Sequence, residues 1–353
     1  MSKSLRLPIT KPVLRRLVYT LVACLLVLGV SYFDLIIYGI GQGYGQFKIL
    51  WNARPIAKVL ADTQVPDSVK AKVRLVQEIK RFAIDSLGIK PSDNYEHLYD
   101  TQGKPVLWVV TAAQPYALEA KTWNYGFLGD MSYRGFFEEQ KARSYAHKLQ
   151  EQGYDTYVGT VAAWSTLGWF KDPILSHMLD WPEGALAALI IHELTHGTLW
   201  VKDSVDYNEN LADFVGDQGA LRFLQVKYGA ASPQVHQYEA SKRDQERYDQ
   251  HWLGAANQLD SLYKSFGPNT PEWLKAQRKQ AFLQKIVTTL DTVSFEYPAY
   301  YRGRFRNSLP NNTYLMTYLT YRGQQNVFEQ EWRERFHQNF QAYLSYLKQK
   351  YHK

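Results

Sequence analysis

The stretch Glu183-Gly184-Ala185-Leu186-Ala187-Ala188-Leu189-Ile190-Ile191-His192-Glu193-Leu194-Thr195-His196-Gly197 decides how the chain is read. From Ala185 to Trp200 the sequence is almost wholly apolar apart from His-Glu-Leu-Thr-His, which predicts a buried helix. Asp180 is placed to cap it, Pro182 falls in the first turn, and Glu183 lies three residues after the cap. A buried helix must give its imidazoles and carboxylate partners, because polar groups without them are costly to bury. His192 and His196 stand at i and i+4, on one helix face, where both rings reach one Zn²⁺. Glu193 sits about 100° further round and reaches a water on the metal in place of the metal itself.

Catalytic zinc commonly takes three protein ligands. A metzincin-type site would need glycine at position 199 and histidine at 202, where this chain has Leu199 and Lys202. Asn208-Glu209-Asn210-Leu211-Ala212-Asp213 follows instead, with Glu209 and Asp213 on one helix face. Glu209 is the expected third ligand, and Asp213 the expected acceptor for the second ring nitrogen of a zinc-bound histidine. Two acids in the first turns of a helix are also favoured by its dipole, but that leaves their coincidence with His192 and His196 unexplained. The set implies a zinc-dependent hydrolase in which Glu193 takes a proton from water acidified to a pKa of about 7.

The pairing of H-E-L-T-H with N-E-x-x-x-D resembles the thermolysin-like zinc peptidases, with a shorter spacer. A closer resemblance, over most of the chain, is to a family of bacterial proteins described as putative aminopeptidases. It is carried by Ala53-Arg54-Pro55-Ile56, Lys121-Thr122-Trp123, Tyr133-Arg134-Gly135-Phe136, Ser165-Thr166-Leu167-Gly168-Trp169-Phe170, Asp172-Pro173, the H-E-L-T-H helix and Asn311-Asn312. The resemblance puts His192, His196 and Glu209 on the metal ligands and Glu193 on the base. It makes Tyr321 the leading candidate to stabilise an oxyanion, with Tyr314, Tyr318 and Arg322 as rivals. It implies action at free N-termini, for which Glu119, Asp130, Glu138 and Asp172 are candidate anchors of the α-ammonium. Many members carry a cysteine pair where this chain has Asn124 and Asp130, and they begin with a lipoprotein cysteine that has no counterpart here. Two other readings stand beside this one: a zinc endopeptidase, and a non-enzymatic envelope protein with a structural zinc.

Composition is that of a folded protein, with 45% hydrophobic and 15% aromatic residues. Five of the seven net positive charges come from Lys3, Arg6, Lys11, Arg15 and Arg16, and no acid precedes Asp34. The remainder has no basic face, so nucleic acid is not an expected partner. Those charges precede Leu17–Phe33, 17 uncharged residues, which reads as a single-pass membrane helix with the N-terminus cytoplasmic. A cleaved signal or lipidation at Cys24 are the alternatives, and each exports the domain, to the periplasmic side in a Gram-negative cell. Cys24 is the one cysteine, so the exported part has no disulfide and no thiolate zinc ligand.

The expected organisation is a basic tail and anchor over residues 1–44 and a zinc peptidase domain over 45–353. Helices are expected at 47–61 with a break at Arg54-Pro55, from Pro66 to Gly88, at 136–152, and near 208–228, 233–266, 272–290 and 324–349. Strands are expected at 106–111, 116–123 and 157–164, with Thr160–Trp164 as an edge where a peptide could add as a strand. Residues 91–104 read as a loop and 294–323 as an irregular Tyr-rich segment. The fold class is α+β: one mostly helical catalytic domain with a small sheet, preceded by a transmembrane helix.

Overall fold

Prolines and glycines set most of the boundaries between elements. The computed structural model describes residues 32–125, 129–161, 171–202, 204–321 and 325–351, with 12, 15, 19 and 20; the side chains of 320–326 lie outside it. Helix α1 (Phe33–Asn52) stops before strand β1 (Arg54–Pro55), and α2 (Ile56–Ala61) follows, so the break falls at the expected proline. Helix α3 (Asp67–Leu87) starts after Pro66 and closes on Gly88, whose φ of 78° is left-handed. Strand β2 (His97–Tyr99) lies inside the stretch read as a loop. It is too short to show alternation, and it is held by its neighbours, antiparallel β1 and parallel β8 (Ile174–Leu175).

Strand β3 (Trp108–Ala113) is the centre of a second sheet, between antiparallel β6 (Arg134–Phe136) and β7 (Asp155–Thr160). Helix α4 (Glu139–Glu151) packs Ala142, Ala146 and Leu149 against Val110 and Ala112 of β3. The extended segment expected at 116–123 reduces to one bridge, Ala113 to Ala120, and to β4 (Trp123–Asn124) paired with β5 (Asp130–Met131). Asn124 and Asp130 stand directly opposite, and Asn124 Nδ2 donates to Asp130 Oδ1 at 2.7 Å, where the resemblance places a disulfide. Of the expected peptide-binding edge, Thr160–Trp164, residues 162–164 lie outside the described residues.

From residue 183 onward every long element is a helix: α5 (Glu183–His196), α6 (Val205–Tyr228), α7 (Pro233–Lys264), α8 (Glu272–Leu290), α9 (Asn312–Tyr321), α10 (Gln325–Phe336) and α11 (Phe340–Tyr351). Asp180 does not cap α5; it ends a 3₁₀ turn, Ser176–Asp180, and Pro182 precedes the helix with no side-chain cap. The segment read as irregular contains α9. The helix expected over 324–349 is two helices, broken where His337 and Gln338 take positive φ of 46° and 63°. The chain is thus α+β and mostly helical; among the described residues there are two three-stranded sheets and a ribbon in place of one small sheet. It divides into two compact units, Met1–Lys48 and Ile49–Lys353. The apolar run Leu17–Phe33 lies almost wholly outside the described residues; among those described, no helix is long and apolar enough to cross a membrane.

Helices α5 and α6 form the centre of the second unit. Leu186, Ala187, Ile190, Ile191 and Leu194 of α5 meet Leu211, Phe214, Val215 and Leu224 of α6 in one core with Ile79 and Leu87 of α3. Phe214 then contacts Phe328, Trp332, Phe340 and Tyr343, which seats α10 and α11 on the same core. A separate aromatic core around Tyr248 and Trp252 joins α7, α8 and α9.

The approach of α5 to α6 depends on Gly216. A Cβ there would lie 2.7 Å from the Ala188 carbonyl and 3.2 Å from His192 Cβ, and the first of these is backbone that cannot step aside. Gly216→Ala is expected to push the helices apart at a cost of about 1–3 kcal/mol, measured as a lower denaturant midpoint at unchanged m-value.

Candidate metal centre

Helices α5 and α6, which carry the candidate ligands, are joined by a short turn that their own polar side chains lock. Thr195 and Thr198 donate to the carbonyls of Ile191 and Leu194, each at 2.8 Å, and the second of these is an acceptor that the end of α5 leaves open. The Lys90 amide donates to Thr198 Oγ1 at 3.0 Å, tying that end to the chain after α3. Asn208, buried in the first turns of α6, reaches back to residue 201. Its Nδ2 donates to the Val201 carbonyl and its Oδ1 accepts the Val201 amide, both at 2.8 Å. Asn208 therefore fixes the register in which the next residue, Glu209, faces α5.

That register brings His192, His196 and Glu209 together. His192 Nε2 and His196 Nε2 are 3.0 Å apart, and Glu209 carboxylate oxygens lie 3.4 Å from His192 Nε2 and 3.6 Å from His196 Nε2. The edge of a tetrahedron with bonds of ~2.1 Å is ~3.4 Å, so three donors at these separations fit one ion of zinc's size. Among the described residues they form a group of three donors able to hold a metal ion. Asp213 Oδ1 accepts from His192 Nδ1 at 2.8 Å, which fixes the ring with Nε2 aimed at the cluster. His196 has no such support: its Nδ1 is buried without a hydrogen-bond partner among the described residues.

Within the cluster the imidazoles and carboxylates shift one another. Burial opposes charge on His192, yet the hydrogen bonds with Asp213 and Glu209 outweigh it and hold its pKa up at about 10. Burial likewise works against ionised Glu209, and the contacts with His192 and His196 bring it down to about 2. Glu193 is almost fully enclosed. Burial raises its pKa, the two histidines pull the other way, and Glu209 and Asp172 add to the rise.

A cavity of about 410 Å³ opens along this edge, between α5, α6 and α7, and its lining includes His192, Glu193 and Asp213 but not His196 or Glu209. Its far wall is Asp217, Tyr238, Lys242, Gln245 and Tyr301. Lys242 forms an ion pair with Asp217, and the Tyr238 hydroxyl donates to Asp217 Oδ1 at 3.2 Å. Sequence reasoning missed these residues. Asp217 was within reach of it, since Glu209, Asp213 and Asp217 follow one another at i+4 along α6.

Other expected site residues fall elsewhere. Tyr314 and Tyr318 belong to the aromatic core, where Tyr314 OH is 2.6 Å from Tyr248 OH and 2.8 Å from Tyr318 OH. Tyr321 ends α9, but its side chain and all of Arg322 lie outside the described residues. Of the four acids weighed as ammonium anchors, Asp172 is buried, accepts from Asn94 and acts on Glu193. Asp130 is held by Asn124, Glu138 pairs with Lys141, and Glu119 is exposed; none of these three lines the cavity. Asn312 is a strut: it accepts from Tyr263 OH and donates to the carbonyls of Gln114, Pro115 and Ala117.

A His-His-Glu donor set with a carboxylate behind one ring and an acid in the adjacent cavity defines, at the level of fold and site, a mostly helical α+β protein with a candidate metal centre. The chain belongs to the family described as "Putative aminopeptidase", whose model matches residues 38–352. No curated protein and no solved structure matches it.

Two outcomes test the centre. Asp213→Asn removes the charge behind His192 and is expected to weaken zinc ~10–100-fold, measured by chelator competition. With its pKa held up by Asp213 and Glu209, His192 would have to give up a proton in order to ligate a metal. Zinc uptake at pH 7 should therefore release about one proton per ion, read from the buffer dependence of the calorimetric enthalpy.

Proposed function

We propose that this protein is a zinc-dependent peptide hydrolase acting at free N-termini. The observation that carries the reading is the convergence of His192 Nε2, His196 Nε2 and Glu209 on one point, with Glu193 enclosed beside them. Family membership supports a peptide substrate. In this reading His192 and His196 hold the ion through Nε2 and Glu209 through its carboxylate. When bound, zinc supplies Lewis acidity, polarising the scissile carbonyl and acidifying water. Asp213 keeps His192 in the ligating tautomer. Glu193 takes up a proton at its carboxylate and returns it to the departing amine, and its burial-raised pKa suits both tasks. The cavity along His192, Glu193 and Asp213 receives part of the peptide. A structural zinc would leave Glu193 without a role, because a closed site takes a fourth protein ligand.

The proposal extends to location. The basic residues before Leu17–Phe33 favour a single-pass anchor with the domain outside the cytoplasm.

Zinc content and turnover of the wild type, Glu209→Ala and Glu193→Gln test the chemistry. The expected results are about one zinc per wild-type chain, little in Glu209→Ala, and full zinc in Glu193→Gln with kcat at least ~100-fold lower. Full zinc in Glu209→Ala would remove Glu209 from the site. Free peptides should be cut and N-acetylated ones refused; cleavage of both assigns an endopeptidase.

A further inference from the structure

The cavity beside the candidate metal centre carries a cation on its far wall. Glu209, Asp213 and Asp217 follow one another at i+4, so they share one face of α6, with Asp217 two turns beyond Glu209. Helix α7 lays Lys242 against Asp217, and the two pair at the wall of the cavity. His192 and Glu193 therefore line one part of this space, and the Lys242 ammonium lines another.

Asp217 is the acid of that lining which neither the metal centre nor the proposed chemistry uses, and so the obvious seat for a substrate ammonium. Its hydrogen bonds argue against that use. Its Oδ2 accepts from Lys242 and its Oδ1 from the Tyr238 hydroxyl at 3.2 Å, so both oxygens are engaged and the charge is balanced. Lys242 is the partner with capacity left. An ammonium carries three donors, and the bond to Asp217 uses one of them. The side chain is 34% exposed and faces the cavity, where Asp217 holds it in place and so lowers the cost of ordering it around a ligand. The neighbouring polar groups are turned to other work. Ser241 Oγ donates to the Tyr238 carbonyl and Gln245 Nε2 to Asp249 Oδ1, each at 2.7 Å. An anionic oxygen is the acceptor that such a lysine binds best.

We infer that Lys242 is a substrate-binding residue that takes a carboxylate of the peptide about three residues beyond the bond that is cut. The spacing comes from α6: eight residues at ~1.5 Å each put Asp217 ~12 Å along the axis from Glu209, and extended peptide covers ~3.3–3.6 Å per residue. A cavity of about 410 Å³ is of the size that holds a small ligand. The inference rests on the hydrolase reading for the peptide and its direction, and it narrows the substrates to peptides with a carboxylate at that distance. The C-terminus of a tetrapeptide and an Asp or Glu side chain both supply one, with the same chemistry at Lys242. The other use of the pair is a tie between α6 and α7, with no part in binding.

Calorimetry on the full chain carrying Glu193→Gln and loaded with zinc measures binding without consuming the peptide. The probes are tetra-alanine as the free acid, tetra-alanine amide, and Ala-Ala-Ala-Asp amide. At least one of the two carboxylate-bearing peptides is expected to bind about ten-fold more tightly than tetra-alanine amide. Preference for the free acid alone names the C-terminus as the source, preference for the Asp peptide alone names a side chain, and preference for both admits either. In the same background Lys242→Met should abolish the preference and Lys242→Arg should keep most of it. Zinc content and thermal midpoint are read for each variant, so that a collapsed site is not taken for a lost contact. Equal binding of all three peptides, no measurable binding of any, or a preference that survives Lys242→Met overturns the inference and leaves Lys242 as a tie. Failure of the hydrolase reading shows separately, as no cleavage of these peptides by the zinc-loaded wild type, with the binding ratios unchanged.

Discussion

The close crossing of α5 and α6 at Gly216 is the constraint on which the rest of the structure depends. With no Cβ at that position, the backbone of α6 comes against the Ala188 carbonyl and His192 Cβ. At that spacing a side chain as short as Asp213 reaches His192 Nδ1, and Glu209, one turn earlier, reaches both Nε2 atoms. The same crossing positions Phe214 to gather the C-terminal helices, so the site and the core share one interface.

Electrostatics then follow from where that interface places charge. Glu209, Asp213 and Glu193 face two imidazoles in a setting largely removed from water, and both rings have an Nε2 turned to the same point. In such surroundings a carboxylate keeps its charge only beside a cation, and the raised pKa of His192 lets that ring serve as one. The Asp217–Lys242 pair carries the charge pattern one turn further along α6 and gives the cavity a polar far wall beside its apolar side formed by Ala185, Ala188 and Leu189.

Some polar residues that looked functional prove to hold the scaffold. Asn312 ties α9 to the turn after β3 through three side-chain hydrogen bonds and to Tyr263 of α7 through a fourth, and Asn208 locks the turn between α5 and α6. Tyr314 and Tyr318 are spent on each other and on Tyr248. A tyrosine has the same letters in the sequence whether its hydroxyl meets substrate or another tyrosine, so only packing distinguishes them. The short strands escaped for a related reason. β2 and β8 have three and two residues, too few to carry a period, and exist because they pair with each other.

The sequence by itself determined the features that local spacing controls. Histidines four apart on a helix share a face whatever surrounds them, as do Glu209 and Asp213, and Pro66, Gly88 and the Arg54-Pro55 break act through φ alone. Tertiary structure decided whatever required two distant segments to meet. It set how closely α5 and α6 approach, which acids act on Glu193, and that Lys242 meets Asp217 at the cavity. Spacing along one helix fixes which residues share a face, but only packing brings two helices to a common point.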